Sequence, residues 1–323
     1  MAFPEPTYAA VDGFRIATYV TGPKNGTPLV LIHGWPELAH SWSPVAPLLA
    51  EAGYRVVAYD LLGFGRSAAP RELHHYGIAN LVAHLEAVMD HHALPRAVMV
   101  GHDWGGIVLW HAVRMIEHRA RAAISISTPH VGRAPVDPMR IFRKRFGEDH
   151  YFLDFDRRPD EIDALFASGP DAFFRMMFRR TPPGTTLTLD MTHIPRRFAE
   201  YLSRGAPGGQ PTVMSVADLR AYADAYRETG FLPGMNYYRN TTPNWELAEG
   251  LSERVRVPSL MISPEDDVFL PPSSTDGMDR TVADLTRVTI PDCGHWAMWE
   301  HPDAVAKAMT DWLASRGLQS SHQ

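Results

Sequence analysis

An aspartate stands where a parallel-sheet enzyme would present its nucleophile. From Val98 to Leu109 an apolar run passes through Gly101-His102-Asp103-Trp104-Gly105-Gly106 and continues as a helical pattern. The small residues around Asp103 suit a sharp, strained turn past which other backbone must run closely. A carboxylate gains nothing by attacking an ester or amide, because the product would be an anhydride. It can displace a leaving group from a saturated carbon. The turn therefore predicts alkylating electrophiles as substrates and an alkyl ester of the enzyme as intermediate.

Hydrolysis of that ester needs a base to activate water, and a histidine serves if a carboxylate orients it and stabilises its cation. Two late segments supply such a pair. Asp267 ends Ser263-Pro264-Glu265-Asp266-Asp267, and His295 stands in Cys293-Gly294-His295-Trp296. Each follows a predicted strand at its C-terminal end, where open parallel sheets keep their ligand sites. An aspartate in an acidic loop is commonly a solvated turn residue, and a single histidine before tryptophan is commonly structural. The chain order of nucleophile, acid and histidine, here Asp103, Asp267 and His295, sets both apart from those readings. The oxyanion formed during ester hydrolysis needs two donors. The backbone N–H groups of Trp104 and of Trp35, in His33-Gly34-Trp35-Pro36, are the candidates. The helix that starts near Trp104 points its dipole at Asp103 and favours the ionised carboxylate.

Other chemistries fit less well. Gly101, Gly105 and Gly106 match neither a dinucleotide fingerprint nor a P-loop, and Asp103 would oppose bound phosphates. Arg143-Lys144-Arg145 and Arg179-Arg180 could be taken for anion sites, but Glu148, Asp149, Asp154 and Asp156 are close enough in sequence to neutralise the first as a solvated helix face. The 16 histidines are scattered, His74, His75, His91 and His92 among them, with no metal-ligand spacing, and are read as solvated. No metal or organic cofactor is expected. The chain has 31 Lys and Arg against 37 Asp and Glu, a formal charge of -6, so no nucleic-acid partner is expected either. Its one cysteine, Cys293, can form no disulfide within the chain. The start has neither the basic residues nor the apolar stretch of a secretory signal, and no apolar run reaches membrane-spanning length. A cytoplasmic protein without a membrane span is expected.

The elements that must hold these residues alternate. Continuous apolar runs at Pro28–His33, Tyr54–Asp60 and Arg121–Ser127, with the strand before Asp103, read as strands buried on both faces. A helix with Leu81, Leu85, Val88 and Met89 on one face lies between the second of these and Asp103. The pattern returns at Val257–Ser263 and Leu285–Pro291 and closes with a helix over Pro302–Leu313. Between these two stretches come helical segments at Met139–Phe146, Asp160–Phe166, Asp171–Arg179 and Val216–Arg227. Pro and Gly clusters separate them, Thr181-Pro-Pro-Gly184 and Gly205-Ala-Pro-Gly-Gly209. The expectation is an α/β fold: a mostly parallel sheet with helices on both faces, residues 1–130 and 243–323, and an inserted helical cap, residues 131–242. With 323 residues, 45% apolar and 21% charged, the chain can fill a sizeable core.

Five segments together resemble the soluble epoxide hydrolases of the α/β-hydrolase fold. They are His33-Gly34-Trp35-Pro36-Glu37, Asp60-Leu61-Leu62-Gly63-Phe64-Gly65-Arg66-Ser67, Gly101 to Gly106, Pro264 to Asp267, and Asp292 to Trp296. The resemblance covers about Phe14 to Leu313 and implies hydrolysis of a small lipophilic epoxide, with water, to a vicinal diol. It also implies two cap tyrosines that donate to the epoxide oxygen. Asn236-Tyr237-Tyr238-Arg239-Asn240 points to Tyr238, and His150-Tyr151-Phe152 points to Tyr151. Tyr222, Tyr226 and Tyr237 are read as packing aromatics. Phe152, Phe155, Phe173, Phe174, Met176 and Met177 suit a lipophilic substrate or simple cap packing. At Glu37 the resemblance implies a carboxylate that positions water, and a surface carboxylate beside a loop is the other reading. Haloalkane dehalogenases share the Gly-x-Asp-Trp-Gly-Gly turn and stay open as an alternative. A non-catalytic ligand receptor on the same fold is a further one, against which stands the complete catalytic set. A monomer or a homodimer fits equally.

Overall fold

The computed structural model describes residues 4–205 and 211–319. The first three residues and most of the Gly205–Gly209 cluster lie outside them. Eight strands form one sheet: β1 (Thr7–Val11), β2 (Phe14–Thr21), β3 (Pro28–Ile32), β4 (Arg55–Tyr59), β5 (Ala97–His102), β6 (Ala120–Ile126), β7 (Ser259–Pro264) and β8 (Leu285–Ile290). Their order is β1-β2-β4-β3-β5-β6-β7-β8. From β4 to β8 every neighbouring pair is parallel.

The central strands are apolar throughout because both faces are covered, and alternate residues serve opposite layers. Val30, Ile32, Val57, Tyr59 and Met99 enter one core. Leu29, Leu31, Val56, Ala58, Val98 and Val100 enter the other. The first core is closed by α2 (Ile78–His91) and α3 (Trp104–Met115). The second is closed by α1 (Ala46–Glu51) and by the two C-terminal helices, α12 (Ala297–Glu300) and α13 (Pro302–Ser315). The strands and the closing helix expected from sequence are present, shifted by one or two residues at their ends. The β1–β2 hairpin was not among them. Its signal is Asp12-Gly13, both at positive φ (51° and 81°) between the directly paired Val11 and Phe14, as a two-residue hairpin turn requires.

Between β6 and β7 the chain builds the helical cap: α4 (Pro138–Phe146), α5 (Tyr151–Arg157), α6 (Pro159–Ala167), α7 (Pro170–Met177), α8 (Ile194–Arg204), α9 (Val216–Thr229), α10 (Leu232–Arg239) and α11 (Thr241–Leu247). Aromatic rings fill it. Phe166, Phe173, Phe198 and Phe231 meet at centroid distances of 4.6–5.6 Å. Four of these helices match sequence expectations, whereas α5, α8, α10 and α11 do not show in the pattern. Helix α10 hides behind a proline and a glycine. Pro233 falls in its first turn, where the missing N–H costs nothing. Gly234 leaves room for the Trp35 indole, which a Cβ there would press at 2.8 Å.

The cap is tied to the sheet by buried polar contacts as well as by packing. Tyr237 donates its hydroxyl to the Leu62 carbonyl at 2.8 Å, and the Tyr222 hydroxyl meets Ser41 Oγ at 2.5 Å. The Trp296 indole donates to the Met177 carbonyl at 3.0 Å. Asn236 and Asn240 donate to the Arg71 and Leu73 carbonyls at 3.1 and 3.0 Å.

Candidate active site

Asp103 sits at the end of β5 with φ 51° and ψ -120°, a strained conformation for a residue with a side chain. Neighbouring glycines make it possible. A Cβ on Gly105 would overlap the Ile32 carbonyl of β3, and one on Gly34 would overlap the Asp103 carboxylate itself. The loop after β3 can therefore lie alongside the turn. Trp35 N–H donates to Asp103 Oδ1 at 2.8 Å, and the Trp104 N–H also bonds this carboxylate. On the inner side, Thr128 Oγ1 and the Gly106 N–H hold the Asp103 carbonyl at 2.7 and 2.9 Å. Burial raises the Asp103 pKa above the usual carboxylate value, against the lowering effect of His295, His102 and the two amides.

His295 and Asp267 arrive from the loops after β8 and β7. His295 Nδ1 meets Asp267 Oδ2 at 2.8 Å, while its Nε2 lies 3.8 Å from Asp103 Oδ2. The second oxygen of Asp267 accepts from the Phe269 and Leu270 N–H groups at 3.0 and 2.9 Å, which fixes the carboxylate. Burial alone would push the imidazole down, yet the charges of Asp267, Asp103 and Glu37 outweigh it and raise its pKa to about 9. Asp267 moves the other way: burial raises its pKa, but His295 and the backbone donors bring it below the usual value.

Glu37 is fully buried, which rules out the surface-loop reading. Its Oε2 accepts from Gly34 N–H at 2.8 Å and meets His102 Nδ1 at 2.8 Å, while Oε1 has no protein partner. Burial favours the neutral acid, but His102, His33 and the Gly34 N–H hold the Glu37 pKa down at about 2. His102 Nε2 faces the His295 carbonyl at 2.9 Å. The chain from Glu37 through His102 to the His295 backbone was not anticipated. Its one signal in the sequence is the position of His102 immediately before Asp103. His33, His84, His102, His130 and His150 are buried too, so reading the histidines as solvated fails for these.

The two tyrosines hang over this group from the cap. Tyr151 opens α5 and Tyr238 lies near the end of α10, their rings 5.4 Å apart. Tyr238 packs edge-on against Trp104 at 5.0 Å and Trp35 at 5.4 Å. Burial raises both phenol pKa values, and the nearby Asp103 charge raises them further. Both phenols are thus protonated donors at neutral pH. Tyr222, Tyr226 and Tyr237 are buried and pack on the rings of Phe174 and Phe64. Among the described residues no three His, Cys, Asp or Glu side chains are grouped to hold a metal, and no helix is long and apolar enough to cross a membrane.

A mostly parallel eight-stranded sheet with a helical insertion after β6 and an acidic elbow after β5 defines an α/β hydrolase. Comparison with known proteins narrows this. A family described as alpha/beta hydrolase fold matches residues 27–302. Epoxide hydrolase A of Mycobacterium tuberculosis is 35% identical over 321 residues, 97% of this chain and 99% of its own length. Bifunctional epoxide hydrolase 2 of Mus musculus is 31% identical across 90% of this chain, which spans about half, 52%, of that protein. The crystal structure of epoxide hydrolase A from Mycobacterium thermoresistibile superposes with a TM-score of 0.81 at 31% identity, covering 96% of this chain and 98% of that one. The chain belongs to the α/β-hydrolase fold family and, within it, to the epoxide hydrolases.

Proposed function

We propose that the enzyme converts a lipophilic epoxide to a vicinal diol through an ester on Asp103. The observation that carries this reading is the pair of phenols, Tyr151 and Tyr238, opposite a carboxylate that has His295 and Asp267 on its other side. With Oδ1 held by amide donors, Oδ2 attacks an epoxide carbon. The carbon–oxygen bond breaks, and the new alkoxide takes a proton from a tyrosine, which spares the site an unstabilised strong base. Ester formation removes the charge of Asp103, one of the influences that keep the proton on His295. The imidazolium therefore gives that proton to solvent, regains one when the carboxylate is restored, and in between offers a neutral ring that can accept a proton. It then takes a proton from water, and the hydroxide adds to the ester carbonyl. The resulting oxyanion is stabilised by the Trp35 and Trp104 amides. Collapse expels the diol oxygen, which recovers the proton from His295. The other proton of the water returns to the tyrosinate, and the Asp103 carboxylate is restored. Glu37, with its free Oε1, positions the water.

In this reading residues 131–242 are the cap that presents the phenols, and residues 1–130 and 243–323 are the core that holds the other groups. The test is a single turnover in heavy-oxygen water. The new diol oxygen should come from Asp103 and carry no label in the first turnover, and His295→Gln should accumulate a protein mass increased by one substrate. Label in the first diol would reassign Asp103 to orientation or electrostatics. Faster halide release from haloalkanes than diol formation from epoxides would favour the dehalogenase.

A further inference from the structure

Helix α4 gathers cations on the surface of a chain whose formal net charge is -6. Of the acids expected to neutralise them only Glu148 pairs with a cation of this helix, while Asp149, Asp154 and Asp156 face arginines outside it. Asp154 is buried and binds Arg157 and Arg158 at 2.8 and 2.9 Å, and Asp156 lies 3.9 Å from Arg239. Glu148 pairs with Arg143 at 2.8 Å. Among the described residues Arg140, Lys144 and Arg145 have no carboxylate in ion-pair range.

At 100° per residue, Arg140, Ile141, Lys144 and Arg145 share one face of α4, whereas Met139, Phe142 and Phe146 share the other. The second face packs inward. Phe142 stacks on His150 at 5.0 Å and meets Phe152 at 4.4 Å, the two residues that flank Tyr151. The first face is open to solvent. Ile141 stands among its cations 37% exposed, with Val136 just before the helix at 45% and Val131 at 58%. Val136, Arg140, Ile141, Arg143, Lys144 and Arg145 line an open depression of about 910 Å³.

We propose that α4 docks on an anionic lipid bilayer surface, with Ile141 and Val136 in the interface and Arg140, Lys144 and Arg145 on lipid phosphates. Exposed aliphatic side chains flanked by cations match the boundary between acyl chains and headgroups. A nucleic-acid backbone would leave these aliphatic groups without use, and the phenylalanines that could stack on bases are turned inward. A symmetric second copy would set cation against cation. Docking would turn the Tyr151 side of the cap toward the phase in which lipophilic epoxides dissolve. That benefit rests on the role given to Tyr151 above, while the binding does not.

The test is sedimentation of the full chain with vesicles of phosphatidylserine and phosphatidylcholine in equal amounts, against pure phosphatidylcholine. Binding is expected only to the anionic vesicles and should fade with added salt. Each lost cation should weaken partitioning about five-fold, so Arg140→Gln/Lys144→Gln/Arg145→Gln together should weaken it roughly 100-fold. The same variant should hydrolyse a small water-soluble epoxide at the wild-type rate, which separates loss of docking from misfolding. Ile141→Asp should also reduce binding, and Arg143→Gln should change it less than any other cation on the helix. Absence of a preference for anionic vesicles, or unchanged binding by the triple variant, would overturn the proposal. So would a dimer in sedimentation equilibrium that the triple variant dissociates, since a second copy would then cover the helix.

Discussion

At the level of single residues, the proposed division of labour rests on which groups keep their protons. Tyr151 and Tyr238 are held protonated by burial and by the charge of Asp103, so they can give a proton to an opening epoxide. A positioned general acid contributes roughly 10²–10⁴ in rate. Because two phenols share the task, Tyr238→Phe should slow ester formation toward the lower end of that range and leave ester hydrolysis nearly unchanged. The double Tyr151→Phe/Tyr238→Phe variant should lose far more than either single change. Rapid-quench measurement of the two steps separates these effects. A double variant that forms the ester at the wild-type rate would remove both tyrosines from the chemistry.

At the level of elements, the position of Tyr238 depends on a carboxylate from another helix. Asp163 of α6 accepts from the Phe231 and Leu232 N–H groups at 2.7 and 2.9 Å, where α10 begins. The first N–H groups of a helix have no partner within it, and Asp163 supplies one from outside. Its loss frees the start of the helix that carries Tyr238 and packs Gly234 on Trp35. Asp163→Ala should therefore cost about 1–2 kcal/mol of stability by denaturant titration. It should also slow ester formation without weakening alkylation-independent binding of a diol product. Asp163→Asn, which keeps an acceptor, should recover most of both losses. Equal effects of the two substitutions would mean that charge, and not the backbone cap, matters at this position.

For the whole molecule, stability should follow the two buried pairs at the site. Folding raises the pKa of His295 from near 6.5 to about 9. Its contribution is therefore complete below pH 6.5 and is lost as pH rises through about 9. The shift corresponds to roughly 3 kcal/mol if fully realised. Glu37 has the opposite sign, with a pKa lowered from 4.5 to about 2. Its contribution is complete above pH 4.5 and is lost as pH falls toward 2. A plot of Tm against pH should decline on both sides of the neutral range. His295→Gln should flatten the alkaline decline and Glu37→Gln the acid one. Both declines should be single cooperative transitions, because one hydrophobic core spans sheet and cap: Trp35, Phe64, Trp104, Phe155, Tyr226 and Tyr238 all belong to it. An alkaline limb unchanged by His295→Gln would show that His295 is not charged in the folded protein.

Residue types and spacing were enough to read the fold class, the elbow at Asp103, and the order in which Asp267 and His295 follow it. These are legible because buried parallel strands are continuous apolar runs and because strained turns demand glycine at fixed offsets. The resemblance of short motifs added Tyr151 and Tyr238. Tertiary structure alone decided the rest. Glu37 could be a surface or a buried carboxylate until its loop was seen to fold under His102, a contact between residues 65 positions apart. The cations of α4 could be neutralised or exposed until Asp154 was seen to turn inward to Arg157 and Arg158. Sequence proximity brings charges near one another along the chain, but only packing decides which partner each one meets and how much water remains between them.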